Sequence, residues 1–195
     1  MKLTEYVPLA IRTEKPLPEI DRLIHGCMGL ITEIGEVTTE LKRMAIYGKE
    51  LDSGRKAHIL EEVGDVMWYV AIMLDTIHAD LGYVQLAPQM EMPSGEEGRY
   101  EAMAMMLGVH CGRVCYMTQS FAMEGYVDES SLPGYLASLA MIINGMYVLS
   151  LFCDSTLNKA MADNIAKLRI RYPATYSNEA AEGRADKAGA DARVS

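Results

Sequence analysis

The sequence is poor in proline and in runs of β-branched residues, which argues against a strand-rich fold. Seven prolines occur among 195 residues, while Met, Leu, Ala, Glu and Ile recur at helical spacing. Half of the residues are hydrophobic and 23% are charged, a balance that is typical of a globular protein. The composition therefore predicts an all-α fold with one sizeable core, or at most two small domains.

Basic residues are too few for a nonspecific binder of nucleic acid or of a membrane surface. Eighteen Lys and Arg stand against 27 Asp and Glu, which gives a formal net charge of −9, whereas such binders present a basic face. No segment reaches about 18 uninterrupted apolar residues, and the N-terminus lacks an apolar signal core. We therefore expect a cytoplasmic protein with no nucleic-acid partner and no membrane partner.

Sequence motifs of several common protein classes are also missing. GxxxxGK[ST], GxGxxG and GxSxG do not occur, which leaves P-loop, Rossmann and hydrolase-elbow interpretations without support. The four cysteines include no CxxC pair, and we interpret them as buried free thiols in a reducing compartment. A di-iron four-helix protein is disfavoured because the paired ExxH motifs are absent, although Asp75 to His78 loosely resembles one copy.

Helical periodicity and turn residues divide most of the chain into helices. Residues 1–17 are expected to be extended, because three nearby prolines discourage a helix. Residues 83–98 are predicted to be a polar connector, and the Ala- and Gly-rich residues 177–195 a flexible tail. Helices are predicted over about 19–47, 55–81, 99–124, 134–152 and 155–172.

Two of these helices carry carboxylates in pairs at i, i+3 spacing, Glu33 with Glu36 and Glu62 with Asp65. This spacing places two carboxylates about 5–6 Å apart at Cβ on one helix face, where they repel unless a cation lies between them. Two facing pairs would form a cage of hard oxygen ligands that suits Mg²⁺ or Mn²⁺. The residues alone leave an ordinary solvated acidic face open as the alternative.

Neighbouring residues on the same faces could contact a substrate. A helical wheel places His25 and Gly29 on the carboxylate face of the first long helix, and Trp68 lies just beyond Asp65. His25 could contact a base or a sugar, and Trp68 could stack on a base, although both residue types more often have structural roles. Arg43 could reach a phosphate or could pair with Glu40 one turn earlier.

Two separated blocks resemble a known family. The segment 25–73 contains Glu33-Ile-Gly-Glu36, the turn Tyr47-Gly48-Lys49 and Glu62-Val-Gly-Asp65, and NIAKLRIRYP follows at 164–173. These blocks, in this order, resemble the MazG-like all-α nucleotide pyrophosphohydrolases and their closing helix. The resemblance implies a four-helix-bundle-like fold of the MazG and dimeric-dUTPase type over residues 1–176.

The resemblance also implies a chemistry and a set of site residues. It implies hydrolysis of a nucleoside triphosphate to the monophosphate and pyrophosphate, with Mg²⁺ (Mn²⁺ possible) held by Glu33, Glu36, Glu62 and Asp65. Glu33 or Glu36 would take the proton of the attacking water. Cations must meet the leaving pyrophosphate, and Arg55 and Lys56 are further candidates for this role. The predicted substrate-binding residues are His25, Arg43, Lys49, Trp68, Asn164, Lys167 and Arg171.

The middle of the chain departs from the family pattern. Small members pass almost directly from the second helix to the closing one, whereas here residues 84–153 intervene. VHCGRVCYMTQSF in this segment resembles HGCMGLITEIGEV without its carboxylates, so the segment is either an inserted helical pair, which we favour, or a degenerate repeat. We expect a homodimer or larger homo-oligomer, unless these helices supply the pairing internally. The alternative function is a non-catalytic helical module that binds nucleotide or protein.

Overall fold

Helices account for all regular secondary structure in the part of the chain that the structure describes, which confirms the all-α prediction. The computed structural model describes residues 1–85, 98–183 and 185–186. A short 3₁₀ turn, Glu129–Ser131, precedes α6. The α-helices are α1 (Leu3–Ile11), α2 (Glu19–Tyr47), α3 (Ser53–Thr76), α4 (Leu81–Gln85), α5 (Arg99–Glu124), α6 (Leu132–Phe152), α7 (Leu157–Arg171) and α8 (Asn178–Gly183).

A short loop folds α2 and α3 into an antiparallel hairpin. Gly48 ends α2 in the left-handed conformation, with φ of 59°, and the Asp52 carboxylate caps α3 by accepting from the Arg55 backbone N–H at 2.8 Å. Near the loop Arg55 pairs with Glu40, and toward the far end Arg22 of α2 pairs with Asp75 of α3. The two carboxylate pairs therefore lie on facing helices.

A second antiparallel hairpin, α5 and α6, packs against the first. The hydroxyls of Thr118 and Tyr135 hydrogen-bond at 3.0 Å near its loop, and Gly145 lets α6 approach Leu107 of α5. Helix α5 lies along α2, and α6 lies along α3. Four long helices thus enclose the core within one chain, although residues 86–97 of the predicted extra segment lie outside the described residues.

The prediction that residues 1–17 are extended is wrong for Leu3–Ile11, which form α1. Its buried residues Leu3, Tyr6, Val7 and Ala10 follow helical spacing and pack into the core. Pro8 lies on the exposed side of this helix, so the burial of the opposite face outweighs the lost hydrogen bond. Helix α1 contacts both α3 and α7, which brings it next to the carboxylates.

Part of the predicted flexible tail, residues 177–195, forms the short helix α8, and the flexibility of the tail stays a prediction. The Arg171 guanidinium donates to the Asp186 carboxylate at 2.7 and 2.5 Å, and Ala180 and Ala181 pack against the core. Residue 184 and residues 187–195 lie outside the described part of the chain. The predicted connector 83–98 begins in α4, and most of it is likewise outside the description.

One stretch, Glu129–Phe152, is long and apolar enough to cross a membrane by length and composition. Of its most apolar window, 56% is buried inside the protein, and Tyr135, Leu139, Ile142 and Met146 belong to the core. This burial is what a core helix of a soluble bundle requires. The cytoplasmic location stays a prediction.

Candidate active site

The structure brings three of the four predicted carboxylates together between α2 and α3. Oxygen atoms of Glu33, Glu62 and Asp65 all lie within 4.8 Å of one another. Glu62 is 6% exposed, and Glu33 and Asp65 are half-buried. Facing carboxylates at this spacing form a set of hard oxygen ligands of the kind that Mg²⁺ and Mn²⁺ take.

Glu36 belongs to a second group one turn further along the helices. A carboxylate oxygen of Glu36, an imidazole nitrogen of His58 and a carboxylate oxygen of Glu62 also lie within 4.8 Å of one another. Glu62 is therefore shared by both groups, and it lies 3.3 Å from the His58 imidazole. Sequence reasoning missed His58, although its position four residues before Glu62 places both on one helix face.

Burial, together with the crowding of negative charge, changes the protonation of the site. Burial, followed by a hydrogen bond with Glu33 and the charge of Glu36, raises the pKa of Glu62 to about 8. Burial is also the main cause that raises the pKa of Glu33. The two carboxyl groups share a proton in the absence of a cation. A divalent cation that replaces this proton relieves the repulsion, so the donor set fits such an ion.

The raised pKa of Glu62 predicts a pH-dependent stability for the metal-free protein. Between the ordinary pKa near 4.5 and the folded value of about 8, the folded state binds more protons than the unfolded state, so stability falls as pH rises. In EDTA, urea unfolding should give a free energy of unfolding about 3 kcal/mol lower at pH 8.5 than at pH 5.5. Glu62→Gln should flatten this dependence; an equally steep profile in the variant would contradict it.

Helix α7 contributes two polar side chains to the site, and both donate hydrogen bonds to Asp65. The Asn164 amide donates to Asp65 Oδ1 at 2.8 Å, and the Lys167 ammonium donates to both Asp65 oxygens at 2.6 Å. The Tyr6 hydroxyl of α1 donates to Asn164 Oδ1 at 2.8 Å and so fixes the amide orientation. Gly64 permits this approach, because a Cβ there would lie 2.9 Å from Asn164 Cβ. Both predicted α7 residues therefore adjoin the carboxylates.

A cavity of about 560 Å³ opens beside Glu33 and Asp65. Trp68 forms part of its wall and is held by donating its indole N–H to Ala10 O at 3.2 Å and to Thr13 Oγ1 at 3.0 Å. His25 meets the rings of Trp68 and Tyr69 edge-on. The lining side chains that carry rings or a guanidinium are His25, Trp68, Tyr69, Tyr172, Tyr176 and Arg171.

The cavity wall includes three of the predicted substrate-binding residues, His25, Trp68 and Arg171. Arg171 is held by Asp186, beyond α8, so the C-terminal segment helps to shape the cavity. Burial lowers the pKa of His25, which favours a neutral imidazole, and its Nδ1 has no hydrogen-bond partner among the described residues. The rings share the wall with charged side chains, namely Lys15, Asp21, Glu33, Asp65 and Arg171, and a concave site that combines rings with polar groups is typical of a small-molecule pocket.

The structure does not place Arg43 or Lys49 in the cavity wall. Arg43 pairs with the buried carboxylate of Glu40, which Arg55 also contacts, so the ion-pair interpretation of Arg43 agrees with its contacts. Lys49 is exposed in the loop after α2 and has no ion pair within residues 1–85 or the other described ranges. Lys56 pairs with Asp154 at 2.6 Å.

Comparisons of this chain with models of protein families, with curated proteins and with solved structures find no match. The geometry of the site and the sequence motifs therefore carry the functional argument.

Proposed function

We propose that this chain is a nucleoside triphosphate pyrophosphohydrolase of the MazG-like type, which converts a (d)NTP and water to the (d)NMP and pyrophosphate. The observation that carries the proposal is the position of the carboxylate group, which adjoins a ring-lined cavity of about 560 Å³. The carboxylates suit the metal-bound triphosphate, and the cavity suits the nucleoside. The ExxE and ExxD motifs that form the group are also those of the resemblance.

Glu33, Glu36, Glu62 and Asp65 would hold the divalent cations, Mg²⁺ or Mn²⁺. A cation bound there supplies charge neutralisation for the triphosphate and makes its phosphorus a better electrophile. Asn164 and Lys167 fix the orientation of Asp65 from the side of α7, as residues outside the ligand shell commonly do. A bound cation would explain why the protein keeps a cluster of carboxylates that includes the buried Glu62.

Other side chains of the site bind the nucleoside, accept a proton from water and stabilise the leaving pyrophosphate. His25, Trp68 and Tyr69 enclose the base and the sugar, while Arg171, held by Asp186, completes the same wall. Glu36 is exposed and accepts the proton of the water that attacks the α-phosphorus. The bond to the bridging oxygen breaks, and pyrophosphate leaves with its negative charge opposite Lys167.

A non-catalytic nucleotide-binding module is the second candidate. The ion pair of Lys167 with both oxygens of Asp65 favours it, because a carboxylate neutralised by an ammonium is a poorer metal ligand. The two candidates differ in turnover. A panel of dNTPs, NTPs and modified nucleotides with Mg²⁺ should release pyrophosphate from at least one substrate, whereas tight nucleotide binding without release would support the module.

His25→Ala should weaken nucleotide binding more than it slows the chemical step. His25 lines the cavity and contacts two rings of its wall, so its loss removes binding common to the ground and transition states. Steady-state kinetics on the best nucleotide should show KM raised about tenfold with kcat nearly unchanged. Ile31→Ala, at an exposed α2 position outside the cavity, is the matched control. Equal KM values for both variants would exclude His25 from the binding site.

A further inference from the structure

Three of the four cysteines meet where α2 packs along α5. Cys111 and Cys115 lie one helical turn apart on α5, and Cys27 approaches them from α2. The thiols of Cys27 and Cys111 each form a hydrogen bond with the Cys115 sulfur. Cys27 and Cys111 are buried, whereas Cys115 is half-buried and is the most exposed of the three. One partly accessible sulfur thus lies between two buried thiols.

The three thiols differ in acidity because they share hydrogen bonds. The bonds from Cys111 and Cys27 stabilise a thiolate at Cys115 and lower its pKa, although burial acts in the opposite direction. The pKa values of Cys27 and Cys111 are raised, first by the hydrogen bond with Cys115 and then by burial. The cluster therefore loses one proton readily and keeps the other two. The thiolate, which is the reactive form of cysteine, belongs on the most exposed sulfur.

Cys153 provides a contrast within the same chain. It lies at the end of α6, is 5% exposed, and burial raises its pKa to about 11. A buried thiol that stays protonated is a poor nucleophile. Contact with other thiols, and not burial alone, therefore sets Cys115 apart.

Helix geometry limits which two sulfurs of the cluster can be joined. Residues at i and i+4 of a helix have Cβ atoms about 5–6 Å apart, whereas a disulfide requires about 3.5–4.5 Å. A disulfide between Cys111 and Cys115 would therefore have to distort α5. Cys27 lies on a different helix and is not subject to this limit. The fold thus favours Cys27 as the partner of Cys115 and leaves Cys111 as a hydrogen-bond donor.

We propose that Cys115 is a site of reversible oxidation, where hydrogen peroxide converts the Cys27 and Cys115 thiols to a disulfide between α2 and α5. The Cys115 thiolate attacks one oxygen of the peroxide, the O–O bond breaks, and the departing hydroxide takes a proton from solvent. The Cys27 sulfur then attacks the sulfur of the resulting sulfenic acid. Its proton goes to the departing hydroxyl group, which leaves as water. Two thiols are oxidised, and one peroxide is reduced to two waters.

Peptide mapping of the full chain after brief treatment with hydrogen peroxide tests this proposal without reference to any nucleotide activity. Trypsin cleaves after Arg113, so Cys111 and Cys115 fall in different peptides, 100–113 and 114–159, and Cys27 falls in 23–42. Free thiols are blocked with N-ethylmaleimide in urea, and the digest contains no reductant. Mass spectrometry should find peptide 23–42 linked to 114–159, with peptide 100–113 carrying the blocking group. Dithiothreitol should remove the link.

Single substitutions identify the sulfurs of the link. Peptide 114–159 also contains Cys153, so Cys153→Ser is the matched control and should form the link at an unchanged rate. Cys111→Ala should also keep the link, whereas Cys115→Ser should abolish it. Cys27→Ala should leave a sulfenic acid at Cys115, which dimedone traps. The oxidised protein should unfold at a higher urea concentration than the reduced protein, because the disulfide constrains the unfolded chain, and Cys27→Ala should not show this shift.

Four results would each overturn the proposal. They are the absence of a linked peptide from the unmodified chain, a link that involves peptide 100–113, a link that disappears in Cys153→Ser, and a covalent dimer as the product on a non-reducing gel.

Discussion

Asp65→Asn and Glu36→Gln should each lower kcat for pyrophosphate release by about 10³-fold or more, a loss typical when a group that stabilises transition-state charge is removed. Both substitutions keep the side-chain shape and remove one negative charge. Asp65 belongs to the group of three carboxylates that lie within 4.8 Å of one another, and Glu36 belongs to the adjacent group. Fewer charges weaken cation binding, and the Glu36 variant also lacks the group that takes the proton from water.

The matched control is Asp163→Asn on α7, next to Asn164 in sequence. Asp163 is exposed and pairs with Lys159 at 2.5 Å, so its loss should change kcat less than twofold. Calorimetry on each folded variant should show reduced Mn²⁺ uptake for Asp65→Asn and for Glu36→Gln, and unchanged uptake for the control. If both site variants keep full turnover, or if the unmodified protein takes up neither Mg²⁺ nor Mn²⁺ with nucleotide, the assigned site is wrong.

The long helices could be predicted from the sequence because each buries one face along its whole length. In α2 the buried residues Leu23, Leu30, Val37 and Leu41 follow the 3.6-residue period. Helix α1 could not be predicted in this way. It is nine residues long and contains Pro8, so local propensity opposes it, and its stability comes from burying Tyr6 against α3 and α7.

The site was predictable to the level of helix faces. The i, i+3 spacing of the acidic pairs and the antiparallel connection by a short loop bring Glu33 and Glu62 together. The partners of these carboxylates depend on distances between helices, which spacing does not encode. Lys167 reaches Asp65 because Gly64 allows α7 to approach α3. The C-terminal wall of the cavity depends in the same way on a contact between distant residues, the ion pair of Arg171 with Asp186, which the sequence pattern does not indicate.

Gly29→Ala should lower the free energy of unfolding by about 2 kcal/mol, the usual cost of overpacking a close contact. A Cβ at Gly29 would lie 2.0 Å from Cε1 and 2.1 Å from Cζ of Tyr69, so the ring must leave its position in the cavity wall. The matched control is Gly35→Ala on the same helix. A Cβ at Gly35 meets nothing within 4 Å, so this change should raise stability by about 0.5–1 kcal/mol through helix propensity alone.

A double-mutant cycle with Tyr69→Ala identifies the cause of the Gly29 effect. Once the ring is absent, Gly29→Ala should become neutral or stabilising, and the coupling between the two positions should be about 2–3 kcal/mol. Urea denaturation followed by circular dichroism at 222 nm measures all four proteins. Because Tyr69 adjoins His25 and Trp68, displacing its ring should also raise KM for the nucleotide. If the effects of Gly29→Ala and Tyr69→Ala on stability are additive, the destabilisation by Gly29→Ala does not come from a clash between the new Cβ and the Tyr69 ring.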